Sequence, residues 1–454
     1  MKNVRKNTIW SIAEFSVIVF IHFFVMRYIV MRLGVSALGI WAVLISAVQI
    51  VRLFDPGAAA GVGRFLSLAD TADDMLRVEK ILATMFYATV PLYLILSIVF
   101  YIPLKYMLGF AMHGDALIQG RALLVFVISS YIAQVVAGTY ASALTGLHLG
   151  SWKSKISIVG VVLQALLFIA LIRKYGLFGL ALAQIANYLF VIMASISALK
   201  IKIGVSPDKL LRWDWPTFQS VMSFGIGIQF SEMVRVGFEM SIRFIMARFG
   251  GVEQVGYYEI AYKIASQARV LAYSVGLPLV PAMTALSVKS KSHLIAFYRI
   301  IYARFSFFAL LSALGIILVS PLMGLLMLGR IEPVFLFFSI LTACGTASYI
   351  TAIPSGLIAI SLGTLRYNIT SALVALVSMI VLGFALGNFF SADGVAIAVV
   401  LSSLLAALVT ILWNSRRLEL PDFPDWKSDL QLGYLLDSIR NWKARGSVRA
   451  INND

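Results

Sequence analysis

The sequence predicts an all-α polytopic membrane protein: about twelve transmembrane helices in two homologous six-helix bundles around a central cleft. Three observations lead there. The 454 residues are 60% hydrophobic and only 13% charged, with mean hydropathy +0.91. A water-soluble domain is about a quarter charged and cannot hide that much apolar surface. Apolar runs on the order of 20 residues, long enough to cross a bilayer, recur along the chain. Short motifs of the first half then return in the second, in the same order and at a nearly constant interval.

Taken in order, the spans are expected near 8–31, 37–66, 79–101, 120–147, 152–172, 177–199, 217–247, 252–285, 294–328, 333–361, 365–388 and 393–413. The first is too long for a signal-peptide core, and no small-residue cleavage site follows it, so it is read as a retained helix. Several exceed about 20 residues and must tilt, kink or extend beyond the hydrocarbon. Lys2, Arg5 and Lys6 precede the first span, and the even-to-odd connections carry Arg77, Lys80, Lys153, Lys155, Lys200, Lys202, Lys289, Lys291 and Arg366. The opposite loops are poorer in Lys and Arg, which predicts both termini in the cytoplasm. The stretch 428–445 places Leu432, Leu435, Leu436, Ile439 and Trp442 near one helical face, with Asp437, Arg440 and Lys443 on the other. That pattern suits an amphipathic helix resting on anionic lipid, although a plain cytosolic tail or a docking helix fits too.

The repeat pairs "GVSALGIW" at 34–41 with "GVEQVGYY" at 251–258, an interval of 217. It pairs "HLGSWKSKIS" at 148–157 with "SLGTLRYNIT" at 361–370, an interval of 213, and "GLALA" at 179–183 with "GVAIA" at 394–398, an interval of 215. An even number of helices per unit makes the halves parallel repeats. The expected division is therefore an N-terminal lobe over 1–205, a C-terminal lobe over 206–414 and a basic tail over 415–454. Two such lobes suit alternating access to a site near mid-membrane.

Ionisable groups inside spans point to a wet or paired interior, because lipid solvates them poorly. In the seventh span Glu232, Arg235, Glu239 and Arg243 share an arc of roughly 80°. This stripe either lines a cleft or forms an ion-paired ladder, and the sequence allows both. Glu259, Lys263 and Gln267 share a face of the eighth span, with Arg269 to one side; Glu14, His22 and Arg27 interrupt the first. In the second span, "RLFDPGAAAGVGRFL" joins Arg52 and Asp55 to a Pro56-Gly57 break. Pro56 cannot donate to the Arg52 carbonyl, so a hinge with a charge pair at its bend is expected.

Other chemistries are excluded on composition. After Gly63 comes Arg64-Phe65 instead of the Lys-Ser or Lys-Thr of a phosphate-binding loop. Four scattered histidines make no metal site, and Cys344 alone makes no intramolecular disulfide. The net charge of +16 serves orientation and anionic-lipid contact rather than nucleic acid, since no basic-aromatic module stands apart from the spans.

The segment "RLGVSALGIWAVLISAVQIVRLFDPGAAAGVGRFLSLA", with its Leu33-Gly34, Gly39-Ile40-Trp41, Asp55-Pro56-Gly57 and Arg64, resembles the start of bacterial polysaccharide and O-antigen flippases. These lipid-linked oligosaccharide translocases belong to the multidrug/oligosaccharidyl-lipid/polysaccharide exporter superfamily. The resemblance implies a MATE-like fold and, as substrate, an oligosaccharide on undecaprenyl pyrophosphate moved from the cytoplasmic to the periplasmic leaflet of the bacterial inner membrane. It implies no enzymatic activity and no cofactor, with a proton or sodium gradient or the membrane potential as driving force. Arg52, Arg235, Arg243, Lys263, Arg269 and Arg27 are the cations expected to receive pyrophosphate and sugar. Asp55, Glu232 and Glu239 are expected to tune them or bind a coupling proton or cation. A polysaccharide polymerase and a chain-length regulator are the protein partners the resemblance suggests. The rivals are a multidrug or cation antiporter, a peptidoglycan-precursor flippase, and a membrane glycosyltransferase or polymerase, for which the outer loops are short.

Overall fold

A computed structural model of the chain describes residues 2–52, 58–67, 75–204, 213–364 and 366–418. Among these residues, twelve α-helices run in order: α1 (Lys2–Leu33), α2 (Val35–Arg52), α3 (Ala58–Ser67), α4 (Met75–Ala111), α5 (Gly114–Gly146), α6 (Gly150–Tyr175), α7 (Leu177–Ile203), α8 (Trp215–Gly276), α9 (Val280–Lys289), α10 (Lys291–Leu328), α11 (Pro333–Ser361) and α12 (Arg366–Leu418). No strand occurs among the described residues. Only helices satisfy every backbone group within one segment in a lipid solvent. Serines and threonines inside the spans also bond their own helix, as Ser46 does to the Ala42 carbonyl and Thr139 to that of Val135.

Helices and expected spans do not correspond one to one, because α8 and α12 each run two spans together. Helix α8 is broken at Gly251 (φ 76°, ψ 173°), and α12 at Ser391 (φ 53°, ψ −136°). Helices α2 and α3 share one expected span, whose residues 53–57 lie outside the described residues. With those breaks, each of the twelve expected spans finds its helical segment. Asp55, Pro56 and Gly57, where a hinge is expected, the linker 205–212 and the tail beyond 418 lie outside the described residues. Across the linker, Asp214 caps α8: its carboxylate accepts from the Thr217 amide at 3.0 Å. Bonds from the Thr217 side chain and backbone hold that carboxyl below its usual range, with Lys80 adding to the effect.

The duplication is visible in the backbone. Gly34 and Gly251, which open the first matched motif in each half, both have positive φ. Gly114 and Gly329, His148 and Gly363, and Gly176 and Ser391 are positive-φ pairs at an interval of 215. Gly176 (φ 51°, ψ −130°) has nearly the dihedral angles of Ser391. After α5, the amides of Leu147, His148 and Leu149 bond the carbonyls of Ala143, Thr145 and Leu144; after α11, those of Leu362, Gly363 and Thr364 bond Ile358, Ile360 and Ala359. These are the same three bonds carried from one half to the other at that interval. The interval of 213 read from "HLGSW" and "SLGTL" is therefore corrected by two. The sequence match aligned Leu149-Gly150 with Leu362-Gly363, but the left-handed position is held by His148 in one half and Gly363 in the other.

Packing divides the chain into two compact units that do not follow this repeat: Met1–Ile260 with Leu322–Phe335 and Gly383–Val395, and Ala261–Pro321 with Leu336–Leu382 and the chain from Ala396 on. In the first, Val62, Leu66, Met85, Tyr140, Leu144 and Val221 join α3, α4, α5 and the start of α8. In the second, Met283, Tyr298, Tyr302, Ile353 and Ile411 join α9 to α12.

The tightest crossing lies in the first unit. A Cβ at Gly39 would land on the Val252 carbonyl oxygen, and one at Gly256 on the Val35 carbonyl oxygen. Val252 and Gly256 are the repeat counterparts of Val35 and Gly39, so the contact is reciprocal. Gly39→Leu and Gly256→Leu should each lower the thermal midpoint of the detergent-solubilised chain, at a cost of about 1–3 kcal/mol for overpacking. Gly138→Leu, with open space around its Cα, should leave the midpoint near that of the parent.

The corner of the last two spans gives a second test. Serine at Ser391 occupies a backbone region that favours glycine and costs about 1–3 kcal/mol. Ser391→Gly should therefore raise the midpoint, and Gly176→Ser should lower it. Equal midpoints for both would show that the corner carries no strain.

Candidate functional site

The site is built on the hairpin that Gly251 makes inside α8. Residues 232, 235, 239 and 243 lie three or four apart, so their side chains stack along one helix face. After the break the second segment returns and presents Glu259. Arg235 lies between two carboxylates, 2.6 Å from Glu232 and 2.8 Å from Glu239. Arg243 lies 3.7 Å from Glu239 and 2.9 Å from Glu259, and it also donates to the Glu239 carbonyl at 3.2 Å. The five groups form a continuous ladder, Glu232–Arg235–Glu239–Arg243–Glu259.

Burial grades along it. The Arg235 side chain is 49% exposed, whereas Arg243 and Glu259 are 8% and 7% exposed. The inner pair is a buried, two-point guanidinium–carboxylate contact, since a second nitrogen of Arg243 reaches Glu259 at 3.4 Å. Two arginines against three glutamates leave the ladder one negative charge in excess at full ionisation.

Of the two readings the sequence allowed for this stripe, the ladder describes the geometry. Both arginines are engaged by glutamates of their own hairpin. The partner the sequence did not supply for Arg243 is Glu259, which lies 16 positions further on and shares a face with Lys263. A glycine between two charged apolar helices was the available signal, because a break there folds the second segment back on the first.

The remaining candidates separate. Lys263, in the second unit, is exposed and has no ion-pair partner among the described residues. Arg269 lies against the rings of Tyr262 at 4.8 Å and Tyr349 at 5.8 Å. Tyr349, on α11, was not anticipated. Arg27 is exposed on α1 with no ion-pair partner among the described residues. Arg52 ends α2, with its side chain outside the description, as are Asp55, Pro56 and Gly57. Two further arginines inside α10, Arg299 and Arg304, were missed because the apolar and aromatic residues around them read as core.

No protein-family model and no curated protein sequence matches the chain. Solved structures match over nearly its whole length. One is a multidrug-resistance MATE family transporter of the MOP superfamily in its inward-facing conformation: TM-score 0.71, 15% identity, 85% of this chain and 93% of that one. Another is the lipid II flippase MurJ in an inward closed conformation: TM-score 0.66, 15% identity, 89% and 87%. A third is a MOP superfamily transporter from Pyrococcus furiosus described by a binding pocket of reversed polarity: TM-score 0.60, 14% identity, 92% and 96%. At such identities the likeness defines the fold. The chain is an all-helical, multi-pass membrane protein with a MATE-like fold, and the neighbours that share this fold are transporters and flippases rather than enzymes.

The inner pair can be tested for its structural weight. Arg243→Ala strands a buried carboxylate and should cost about 3–5 kcal/mol, whereas Arg243→Met with Glu259→Leu should recover most of that loss. The readout is a double-mutant cycle on thermal midpoints. Additive losses would mean that the two groups do not act as a pair.

Proposed function

We propose that this chain is a flippase of lipid-linked oligosaccharides. It carries an oligosaccharide on undecaprenyl pyrophosphate from the cytoplasmic to the periplasmic leaflet of the bacterial inner membrane, with both termini in the cytoplasm. The observation that carries the reading is a MATE-like fold, shared with a lipid II flippase, whose broken eighth helix bears an intramembrane charge ladder. Neither pyrophosphate nor sugar crosses hydrocarbon unaided, so a transporter for them needs charge held inside the membrane. The resemblance of 32–69 to polysaccharide flippases narrows the substrate class. Two lobes over 1–205 and 206–414, moving against each other, supply alternating access. Lys263 is the best-placed cation for pyrophosphate, because Arg235 and Arg243 already satisfy glutamates. Arg269, Arg27 and Arg52 complete the cationic set, and Pro56-Gly57 is the hinge.

One observation favours a second reading. The ladder's excess carboxylate suits uptake of a proton or sodium ion in exchange for a substrate, and this serves a multidrug or cation antiporter as well as a gradient-driven flippase. Glu239, touched by both arginines, is the coupling residue in either case.

Cells lacking the chain should accumulate the undecaprenyl-pyrophosphate oligosaccharide on the cytoplasmic leaflet and lose the surface polysaccharide. Lys263→Ala should slow export roughly tenfold through the loss of one charge-assisted contact, with partial rescue by Lys263→Arg. Unchanged leaflet distribution together with lost tolerance to organic cations would select the antiporter instead.

A further inference from the structure

A second cationic feature lies away from the ladder, where α1 and α6 begin and α7 ends. Trp10 comes from α1, Trp152 and Lys155 from α6, and Lys202 from α7. The Lys155 ammonium stands 4.7 Å from the Trp10 ring centre and 5.6 Å from that of Trp152. Lys202 lies 5.0 Å from the same Trp152 ring, so both ammonium groups border it. Neither lysine has a carboxylate partner among the described residues. Their neighbour Lys153 does, pairing with Glu14 at 2.7 Å.

The frame around them is fixed. Asn7 accepts from the Ser151 amide at 2.9 Å and donates to the His148 carbonyl, which ties the start of α1 to the turn before α6. The Glu14–Lys153 pair ties the same two helices further along. Indoles accept no hydrogen bond from the cations in the ring plane, and neither ammonium has an acceptor among the described residues. Exposed apolar side chains lie within about one turn of the site on each helix. Ile12 is 62% and Ile201 74% exposed, and Val159, one turn beyond Lys155, is exposed too. Tryptophans of this kind mark the level of the headgroups.

We propose that Trp10, Trp152, Lys155 and Lys202 form a binding site for the phosphate of an anionic glycerophospholipid, with the acyl chains lying along Ile12, Val159 and Ile201. The shared chemistry is a phosphate ester, which a membrane lipid or the pyrophosphate of a polyprenyl carrier would both offer. The exposed apolar surface on all three helices selects the two-chain membrane lipid. The site is independent of the transport reading, since none of its residues belongs to the ladder or to the cations assigned there.

Native mass spectrometry of the detergent-purified full chain tests it, with phosphatidylglycerol and phosphatidylcholine as probes. The parent should retain phosphatidylglycerol in preference to phosphatidylcholine. Lys155→Gln and Lys202→Gln should each weaken retention about fivefold, as expected for one basic residue at an anionic surface. The double Lys→Arg variant should keep it, and Lys174→Gln, a lysine stacked on Tyr175 at the opposite helix ends, should match the parent. Phosphatidylglycerol should raise the thermal midpoint of the parent and not of the double Gln variant. Equal retention of both lipids by the parent, or of phosphatidylglycerol by the double Gln variant, would overturn the site. Displacement of phosphatidylglycerol by equimolar farnesyl pyrophosphate or inorganic pyrophosphate would overturn the choice of occupant.

Discussion

The close crossing of α2 with the second segment of α8 governs much of the rest. Inside a bilayer the lipid tails are as apolar as the side chains, so burial of leucine against leucine drives little helix association. What remains is close packing, and it depends on small residues. Gly39 and Gly256 let each backbone reach the other's carbonyl, at Val252 and Val35. Because each residue is the repeat of its counterpart, one local geometry satisfies both sides. The crossing also sets the charges. Glu259 lies three residues beyond Gly256, so fixing the second α8 segment at Gly256 places the carboxylate that Arg243 requires.

That placement changes what intramembrane arginines signify. A cation in a span suggests an anionic substrate only while nothing else neutralises it. Here the two arginines most prominent in the sequence are bound by three glutamates, and burial deepens from Arg235 to Arg243. A substrate competing for Arg243 would have to displace Glu259 and leave a carboxylate buried without a partner. Lys263, exposed and without an acidic partner among the described residues, meets no such obstacle. On the proposed reading, anion recognition and charge coupling fall to different residues of one helix.

The fold was legible in the sequence to a large degree, since span length and hydropathy are local properties. Each of the twelve expected spans has its helical segment, and the repeat recurs in the backbone at Gly34 and Gly251 and at Gly176 and Ser391. Chemistry between elements was less legible. The partner of Arg243 depends on how a hairpin closes, and the Trp–Lys cluster draws on three helices that no periodicity connects. The misread interval between "HLGSW" and "SLGTL" has the same origin. A Leu-Gly match is short and weak by itself, whereas the turn's geometry is kept by three backbone hydrogen bonds that different side chains allow.

The positive-φ pairs also show what fixes the ends of the helices. If local preference placed each break, both members of a pair would be glycine, the residue that reaches positive φ at least cost. Two pairs are mixed. His148 stands opposite Gly363, and Ser391 opposite Gly176, with the costlier residue in a different half each time. Nonetheless the breaks sit at matching positions. At Gly176 and Ser391, contacts beside the break explain why. A Cβ at Gly179 would press on the Leu171 backbone, and one at Gly394 on that of Leu386, the same approach repeated in the second half. The hairpin is held shut by glycine against backbone a short way past the corner, so the corner residue takes whatever conformation closure requires. Glycine at 179 and 394 is therefore the stricter demand, and the residue at the turn itself is free to drift.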